Sequence, residues 1–377
     1  MKVFSNCLKF ALIVIPALVL GGGRQALTQV RPVRPAPPKA RLRAAALLRL
    51  PGATQDGRAD VVDSNSPVHW DSSGQLHVFT SAGHPYRSTG PDLFNLSRPV
   101  ERVRVSTDLN FDGRRWLEAT YRDDLGGLYG WYHNEPTNVC ADRDELTAPR
   151  IGVMVSYNEG LDWGDLGLIL DSPPGSLDCD TRNFYFAGGT GDFSVILDQE
   201  KKYFYFFIST YYGDVAEQGI AVARMAYEDR YDPRGKIRKW HNGKWEESGL
   251  GGRVTPIFPS AIDWERDDAN SFWGPAIHYN TYLKEYVMLL NHAVNRYWAQ
   301  EGIYISFSRD LGNPTGWSQP QRILEGGEFY PQVIGTGSGE TDRLAGRVAR
   351  FFVSGASRWE IVFETPDDQR RVPSRDF

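Results

Sequence analysis

The sequence predicts an all-β protein, a five-bladed β-propeller of four-stranded antiparallel blades. Its 377 residues include 38 Gly and 23 Pro, which favours short strands and turns over long helices. Apolar runs with helical periodicity are few. Between about residue 60 and residue 365, one strand–turn–strand pattern recurs five times, which is typical of a radial repeat.

Each repeat opens with two strands joined by a polar turn. The second strand is rich in aromatic and β-branched residues, as buried strands usually are. The predicted pairs are Val68–Asp71 with Leu76–Ser81, Trp116–Arg122 with Leu128–Glu135, Asp192–Asp198 with Tyr203–Thr210, Pro275–Asn280 with Glu285–His292, and Tyr330–Gly335 with Arg347–Ser354.

A third strand follows in four repeats. These strands are Pro85–Ser88, Ile151–Ser156, Gly219–Arg224 and Ile303–Ser306. Ser88, Ser156, Arg224 and Ser306 are spaced by 68, 68 and 82 residues, which suits four-stranded blades with long connections. Two β-sandwiches with a similar period are the alternative.

Residues 1–28 are predicted to be a signal peptide. Lys2 and Lys9 precede the apolar run Phe10–Leu20, and small residues follow at 21–23, as in a secretory signal. The run is short for a transmembrane span, although an uncleaved anchor is the alternative. We therefore expect a secreted or periplasmic protein without stable membrane insertion after cleavage.

Residues 29–58 are predicted to be a basic Pro/Arg-rich linker, followed by the propeller at 59–366 and a tail at 367–377. Within the linker, Lys39–Leu50 could form a basic amphipathic helix at a membrane surface or a solvated tether. The first 50 residues carry nine Lys and Arg and no Asp or Glu, so the remaining chain is more acidic than the net charge of −5. An acidic body argues against nucleic acid as a partner.

Cys140 and Cys179 remain once the signal peptide, with Cys7, is removed. Two cysteines in an exported protein predict one disulfide. In the chain-entropy model, closing this loop contributes about 4 kcal/mol to stability. A metal site at these cysteines has little support, because neither CxxC nor paired-His spacing accompanies them.

Polar residues are predicted to collect at one face of the channel. The start of each inner strand and the end of the next strand meet there, because the two are antiparallel. The predicted catalytic residues are Asp192, Glu135 and Glu118, and the predicted substrate-binding residues are His133, His292, Asn291, Trp273, Asn65 and Tyr330. Carboxylates with aromatic rings are what a sugar site needs. Turn carboxylates, ion pairs and core histidines are the alternative interpretation.

Two turns suggest a family. SYNEGLDW (Ser156–Trp163) is similar to the Asp-box of sialidase-type propellers, S-x-D-x-G-x-x-W, with Asn in place of Asp, and SFSRDLGNPTGW (Ser306–Trp317) looks like a related blade-end turn. With the strand starts GTGDFSVILD and FWGPAIHYN, the chain resembles the five-bladed propeller glycosidases (arabinanase, xylosidase, fructosidase). Arabinanase-type enzymes place an Asp base at the start of the first blade, where this chain has Asn65, with Asp63 two residues away.

The resemblance implies a secreted glycoside hydrolase that acts on an oligo- or polysaccharide. Asp192 and Glu135 are predicted to act across the channel as an acid/base pair, with Glu118 nearby to shift a pKa. A non-catalytic propeller that binds glycan or protein at the cell envelope is the alternative. No cofactor is expected, although His292 and the carboxylates could hold a cation such as calcium in the channel.

Overall fold

The computed structural model describes residues 37–106 and 112–371. The predicted signal peptide at 1–28 lies outside these residues. Most described strands belong to five small, mainly antiparallel sheets, which are arranged as the five blades of a propeller. The predicted fold class is therefore confirmed.

The strands follow the chain from blade to blade. Among the described residues, three strands precede blade 1 along the chain: β1 (Lys39–Arg49), which belongs to blade 5, and the paired strands β2 (Ala53–Gln55) and β3 (Arg58–Val61). Blade 1 contains β4 (Val68–Trp70), β5 (Leu76–Ser81), β6 (Pro85–Gly90) and β7 (Glu101–Arg102). Blade 2 contains β8 (Arg104–Val105), β9 (Arg114–Arg122), β10 (Leu128–Glu135), β11 (Arg150–Ser156) and β12 (Asp162–Leu170).

Blade 3 contains β13 (Thr190–Leu197), β14 (Tyr203–Thr210), β15 (Gly219–Ala226), β16 (Arg238–His241), β17 (Lys244–Ser248) and β18 (Phe258–Pro259). Blade 4 contains β19 (Ser271–Asn280), β20 (Glu285–Ala293), β21 (Gln300–Ser308) and β22 (Gln321–Glu325). The last strands are β23 (Gln332–Ile334), β24 (Leu344–Ala345), β25 (Val348–Val353) and β26 (Ala356–Glu364). Of these, β24 pairs with β19, and the other three belong to blade 5.

Within residues 37–106 and 112–371, helical segments are short. Three are 3₁₀ turns, at Val215–Glu217, Tyr227–Tyr231 and Pro314–Gly316, and the α-helix α1 covers Pro366–Arg371. The helix α1 therefore occupies part of the predicted C-terminal tail.

The N-terminal strand β1 corrects the predicted linker. Residues 39–49 form neither a helix nor a tether but pair antiparallel with β26 as the outer strand of blade 5. The segment KARLRA alternates cationic and apolar residues, and this period of two suits a strand. Ala40 and Leu42 pack against the hydrophobic core that blades 4 and 5 share, while Arg41 reaches Glu364 at 2.9 Å. The basic charge thus meets acidic side chains of the neighbouring strand.

Aromatic side chains fill the spaces between blades. Trp131 of β10, for example, packs against Phe204 and Phe206 of β14, with ring centroids 5.1 and 5.8 Å apart. Burying one such side chain contributes on the order of 1.5–3 kcal/mol. These contacts join separate radial sheets, which agrees with the propeller and not with a pair of sandwiches.

The Asp-box-like turn after β11 is structural. The Oδ1 atom of Asn158 accepts the N–H of Asp162 at 2.9 Å, so Asn fills the acceptor role of the Asp. Trp163 donates its indole N–H to the carbonyl of Gly160 at 2.8 Å. Because β10 ends at the channel face that carries His133, the antiparallel β11 delivers this turn to the opposite face.

Candidate active site

Two β-bulges aim carboxylates into the channel. In blade 2, Trp131 pairs with Ala119 and Tyr132 with Leu117, so that Glu118 is the extra residue on β9. In blade 3, Asp192 is likewise the extra residue on β13, and its φ is 44°. A bulge redirects the side chain of its extra residue. Both predicted carboxylates therefore owe their direction to an irregularity in an inner strand.

His133 of β10 lies at the centre of the acidic cluster. Its Nδ1 is 3.1 Å from Glu118 Oε1 and 3.9 Å from Asp192 Oδ1, and its Nε2 is 3.5 Å from Glu135 Oε1. Burial alone would lower the pKa of His133. The hydrogen bonds with Glu118 and Glu135 and the charge of Asp192 outweigh burial and raise this pKa well above its usual value. His133 is therefore an imidazolium near neutral pH.

Glu118 is held from two sides. Besides its contact with His133, its Oε2 accepts the backbone N–H of Phe193 at 3.0 Å. The side chain is buried, so this carboxylate ties blade 2 to blade 3 and orients the imidazolium. This arrangement fits a positioning group better than a group that transfers protons.

Asp192 lines the cavity with one oxygen already engaged. The Tyr211 hydroxyl donates a hydrogen bond of 2.5 Å to Oδ2, and the Tyr211 ring is stacked on Phe186 with centroids 4.3 Å apart. Burial is the largest effect on this carboxyl group and raises its pKa to about 7, with His133 opposing the shift and Glu118 adding to it. Asp192 therefore holds a proton at a pH where ordinary carboxyl groups are ionised.

Asp63 also faces the cavity, from the segment before β4. The indole N–H of Trp116 donates to its Oδ2 at 3.3 Å. Burial, followed by the charge of Glu135, raises the pKa of Asp63 to about 6. The carboxylate of blade 1 at this face is thus Asp63, two residues before the position that the sequence suggested.

The cavity has a volume of about 330 Å³. Its polar lining consists of Asp63, Arg114, His133, Glu135, Glu145 and Asp192. Its aromatic lining consists of Trp116, Tyr185, Phe186, Trp273, Trp298, Phe329 and Tyr330. Three lining residues, Asp192, Trp298 and Tyr330, have left-handed backbone with φ of 44°, 62° and 57°. Non-glycine residues in this conformation are uncommon and cluster at functional sites.

The other predicted substrate-binding residues are divided between the cavity and its surroundings. Trp273 and Tyr330 line the cavity beside the carboxyl groups. Asn65 instead donates from Nδ2 to the carbonyls of Phe193 and Pro275, both at 3.1 Å. These two bonds brace blades 1, 3 and 4 against one another.

Asn291 and His292 of β20 lie outside the lining of the cavity. Asn291 is buried opposite Trp273 in the ladder between β19 and β20. The Nδ1 atom of His292 lies 3.1 Å from Glu301, and its Nε2 atom lies 3.0 Å from Asn270 Oδ1. The partners of His292 are thus not cavity carboxylates, and a cation shared by His292 and those carboxylates does not fit this placement.

Sequence reasoning missed Tyr211 and most of the aromatic wall. Phe186 and Trp298 lie in loops that connect blades or strands, where neither a strand period nor a motif gives their direction. The signal available was the aromatic density of the segments 184–186 and 297–298. Cys140 and Cys179, by contrast, form the predicted disulfide, with Cα atoms 5.5 Å apart.

Comparisons with known proteins support the fold. No protein-family model and no curated protein matches the chain. Among solved structures, the endo-arabinase of Bacteroides thetaiotaomicron is similar over 81% of this chain and 93% of its own, with a TM-score of 0.50 and 12% identity. The arabinanase of Bacillus subtilis is similar over 80% and 93%, with a TM-score of 0.45 and 12% identity.

An exo-β-1,3-galactanase of Phanerochaete chrysosporium is similar over 85% of this chain, with a TM-score of 0.48 and 12% identity. The chain spans 64% of the length of that galactanase. At such identities the likeness concerns the fold. The likeness to the endo-arabinase, together with the five observed blades, supports a five-bladed propeller fold for this chain.

Proposed function

We propose that this protein is a glycoside hydrolase that cleaves neutral oligo- or polysaccharides with Asp192 and Asp63. One observation carries the proposal: both carboxyl groups line one aromatic cavity, and their pKa values are raised, to about 7 and about 6. Hydrolysis of a glycosidic bond needs one protonated and one ionised carboxyl group. Two acids whose environments separate their pKa values supply that pair.

The surrounding charges explain why these two acids are the reactive ones. The imidazolium of His133 contacts Glu118 and Glu135 and offsets part of their negative charge. The charge of His133 also lowers the pKa values of Asp192 and Asp63, but burial is the largest effect on both carboxyl groups and outweighs it. Between pH 6 and pH 7, Asp192 is therefore the more protonated of the two.

This order of pKa values assigns the roles. Asp192 is the general acid that protonates the leaving oxygen. Because Tyr211 occupies Oδ2, the proton to be transferred is on Oδ1. Asp63 is the ionised partner that activates water or attacks the sugar. The sequence paired Asp192 with Glu135, and we keep Glu135 as the competing candidate for the base because it lines the same cavity.

The lining favours a neutral sugar. Trp273 and Tyr330 offer aromatic surface on which a sugar ring can pack. Acidic side chains outnumber cationic ones in the cavity, so a uronate would be repelled. Acid/base hydrolysis by two carboxyl groups needs no cofactor, and we propose none.

We also propose that the protein acts outside the cytoplasm. The apolar run near the N-terminus and the disulfide between Cys140 and Cys179 favour an oxidising compartment. Within the described residues, no helix has the length and hydropathy to cross a membrane. The proposed partner is a carbohydrate and not nucleic acid.

The test is a substrate screen followed by matched variants. The purified protein is assayed on a panel of aryl glycosides and on plant and bacterial polysaccharides. We expect Asp192→Asn and Asp63→Asn to lower the rate by roughly 10²–10⁴-fold, whereas the exposed control Asp124→Asn keeps it. Azide should restore turnover to the variant that lacks the base, and comparison with Glu135→Gln decides between the two candidates.

Two results would refute the proposal. Near wild-type turnover in Asp192→Asn would show that Asp192 is not the general acid. Saccharide binding without cleavage of any substrate in the panel would support the alternative, a non-catalytic glycan-binding propeller.

A further inference from the structure

Three large aromatic side chains are exposed together beside the cavity. Phe184, Tyr185 and Tyr297 are 42%, 39% and 53% exposed. Phe184 lies 4.9 Å from Tyr185 and 5.6 Å from Tyr297, measured between ring centroids. We call this group the aromatic rim. Grouped exposed aromatic surface of this kind commonly marks a binding site.

The aromatic rim continues the cavity wall without a break. Tyr185 belongs to both, since it is exposed and also lines the cavity. Its ring centroid is 6.2 Å from that of Phe186, which is 5.4 Å from that of Trp298. An aromatic surface therefore leads from the carboxyl groups to the outside of the protein.

The backbone under the aromatic rim is tied down. Asn183 Oδ1 accepts the N–H groups of Tyr185 and Phe186 at 2.9 and 3.0 Å. The carbonyl of Tyr185 accepts the N–H of Thr147 at 2.9 Å, and the disulfide holds the preceding turn. Phe184 donates to the carbonyl of Arg296 at 3.3 Å, which joins the loop of Tyr297 to that of Phe184. Rings on a fixed backbone lose little conformational entropy when a ligand stacks on them.

We propose that the aromatic rim binds the part of a glycan chain that extends beyond the sugar in the cavity, which makes a neutral oligo- or polysaccharide the substrate. This inference rests on the proposed function for the role of the cavity. Aromatic faces pack against the C–H faces of sugars while the hydroxyl groups stay in water. Three rings are too small a surface for a stable protein partner, which needs about 800 Å² on each side, but they suit two or three sugar units.

The test measures affinity against chain length in the Asp192→Asn background, where chains should remain uncut. Neutral arabino-, galacto- and xylo-oligosaccharides of two to six units are titrated by calorimetry. For at least one series we expect the affinity to rise with length by about tenfold, which is about 1.4 kcal/mol. Adding Phe184→Leu and Tyr297→Leu should remove this gain, because leucine keeps apolar volume without an aromatic face.

Tyr157→Leu is the matched control. Tyr157 is 77% exposed in the turn after β11, at the opposite face, and its removal should leave the gain intact. Circular dichroism and the melting temperature establish that each variant is folded.

Two outcomes would overturn the proposal: affinity that is independent of chain length in every series, or a gain that survives the double leucine variant. The failure of the proposed function looks different. A wild-type protein that cleaves nothing, but whose binding still grows with chain length through Phe184 and Tyr297, would refute the hydrolase and leave the aromatic rim in place.

Discussion

Tyr211→Phe should move the alkaline limb of the pH–rate profile. The Tyr211 hydroxyl donates to Asp192 Oδ2 at 2.5 Å, and this bond lowers the pKa of Asp192 against the larger, raising effect of burial. A hydrogen bond to a charged group is worth about 1.5–3 kcal/mol, which corresponds to a pKa change of about one to two units. Without the hydroxyl, Asp192 should stay protonated to higher pH by about that amount.

The expected wild-type profile is bell-shaped. Its acid limb follows ionisation of Asp63, whose pKa is about 6, and its alkaline limb follows loss of the Asp192 proton, at about 7. The assay measures kcat/KM from pH 4 to pH 10 on the best aryl glycoside of the screen. Carbon-13 NMR of labelled aspartate reports the pKa of Asp192 without relying on turnover.

Tyr212→Phe is the control for this substitution. Tyr212 is also buried, but its hydroxyl has no hydrogen-bond partner among the described residues. Its removal should leave both limbs in place. If Tyr211→Phe shifts the carbon-13 titration of Asp192 but leaves the alkaline limb in place, the assignment of Asp192 as the acid is wrong. If neither moves, the effect of the Tyr211 hydrogen bond on the pKa of Asp192 is refuted.

Three further predictions concern stability. Because the folded-state pKa of Asp192 is raised, its contribution to the free energy of unfolding should decline as pH rises from 3.8 towards 7. Urea titrations should therefore show a smaller decline for Asp192→Asn than for the wild type. An equal decline in both proteins would mean that a group other than Asp192 causes it. Asn65→Ala should lower the free energy of unfolding by about 1–3 kcal/mol, because two carbonyls of blades 3 and 4 lose their donor; an unchanged urea midpoint would contradict the brace. Cys140→Ala with Cys179→Ala should lower it by about 4 kcal/mol, and alkylation of both thiols in unreduced, exported wild-type protein would refute the disulfide.

Local sequence was sufficient for most of the propeller. The predicted second strands Leu76–Ser81, Leu128–Glu135 and Tyr203–Thr210 have the observed bounds. Their turns are polar and glycine-bearing or charged, and their aromatic and β-branched residues are buried on both faces, except that Tyr203 is partly buried. Where periodicity, turn chemistry and burial agree, neighbouring residues along the chain decide the structure.

The place of the segment Lys39–Arg49 in the fold could not be predicted from its local sequence. Its basic composition indicated a linker, yet its alternation was that of a strand. The acidic partners that stabilise it, Glu360 and Glu364, follow more than 300 residues later. The sequence of the segment itself does not indicate which distant strand it pairs with.

The sequence by itself determined that carboxylates and a histidine meet at one channel face, because antiparallel strands bring Glu118, His133 and Asp192 to the same end. Only the tertiary structure decided their roles. A bulge adds one residue and reverses the face of a side chain, so the directions of Glu118 and Asp192 depend on the partner strand. Whether Asp63 or Asn65 reaches the cavity depends on the irregular backbone before β4. The pKa values of the cavity carboxyl groups depend on burial and on charges from four separate segments of the chain. These segments lie close together only in the folded protein.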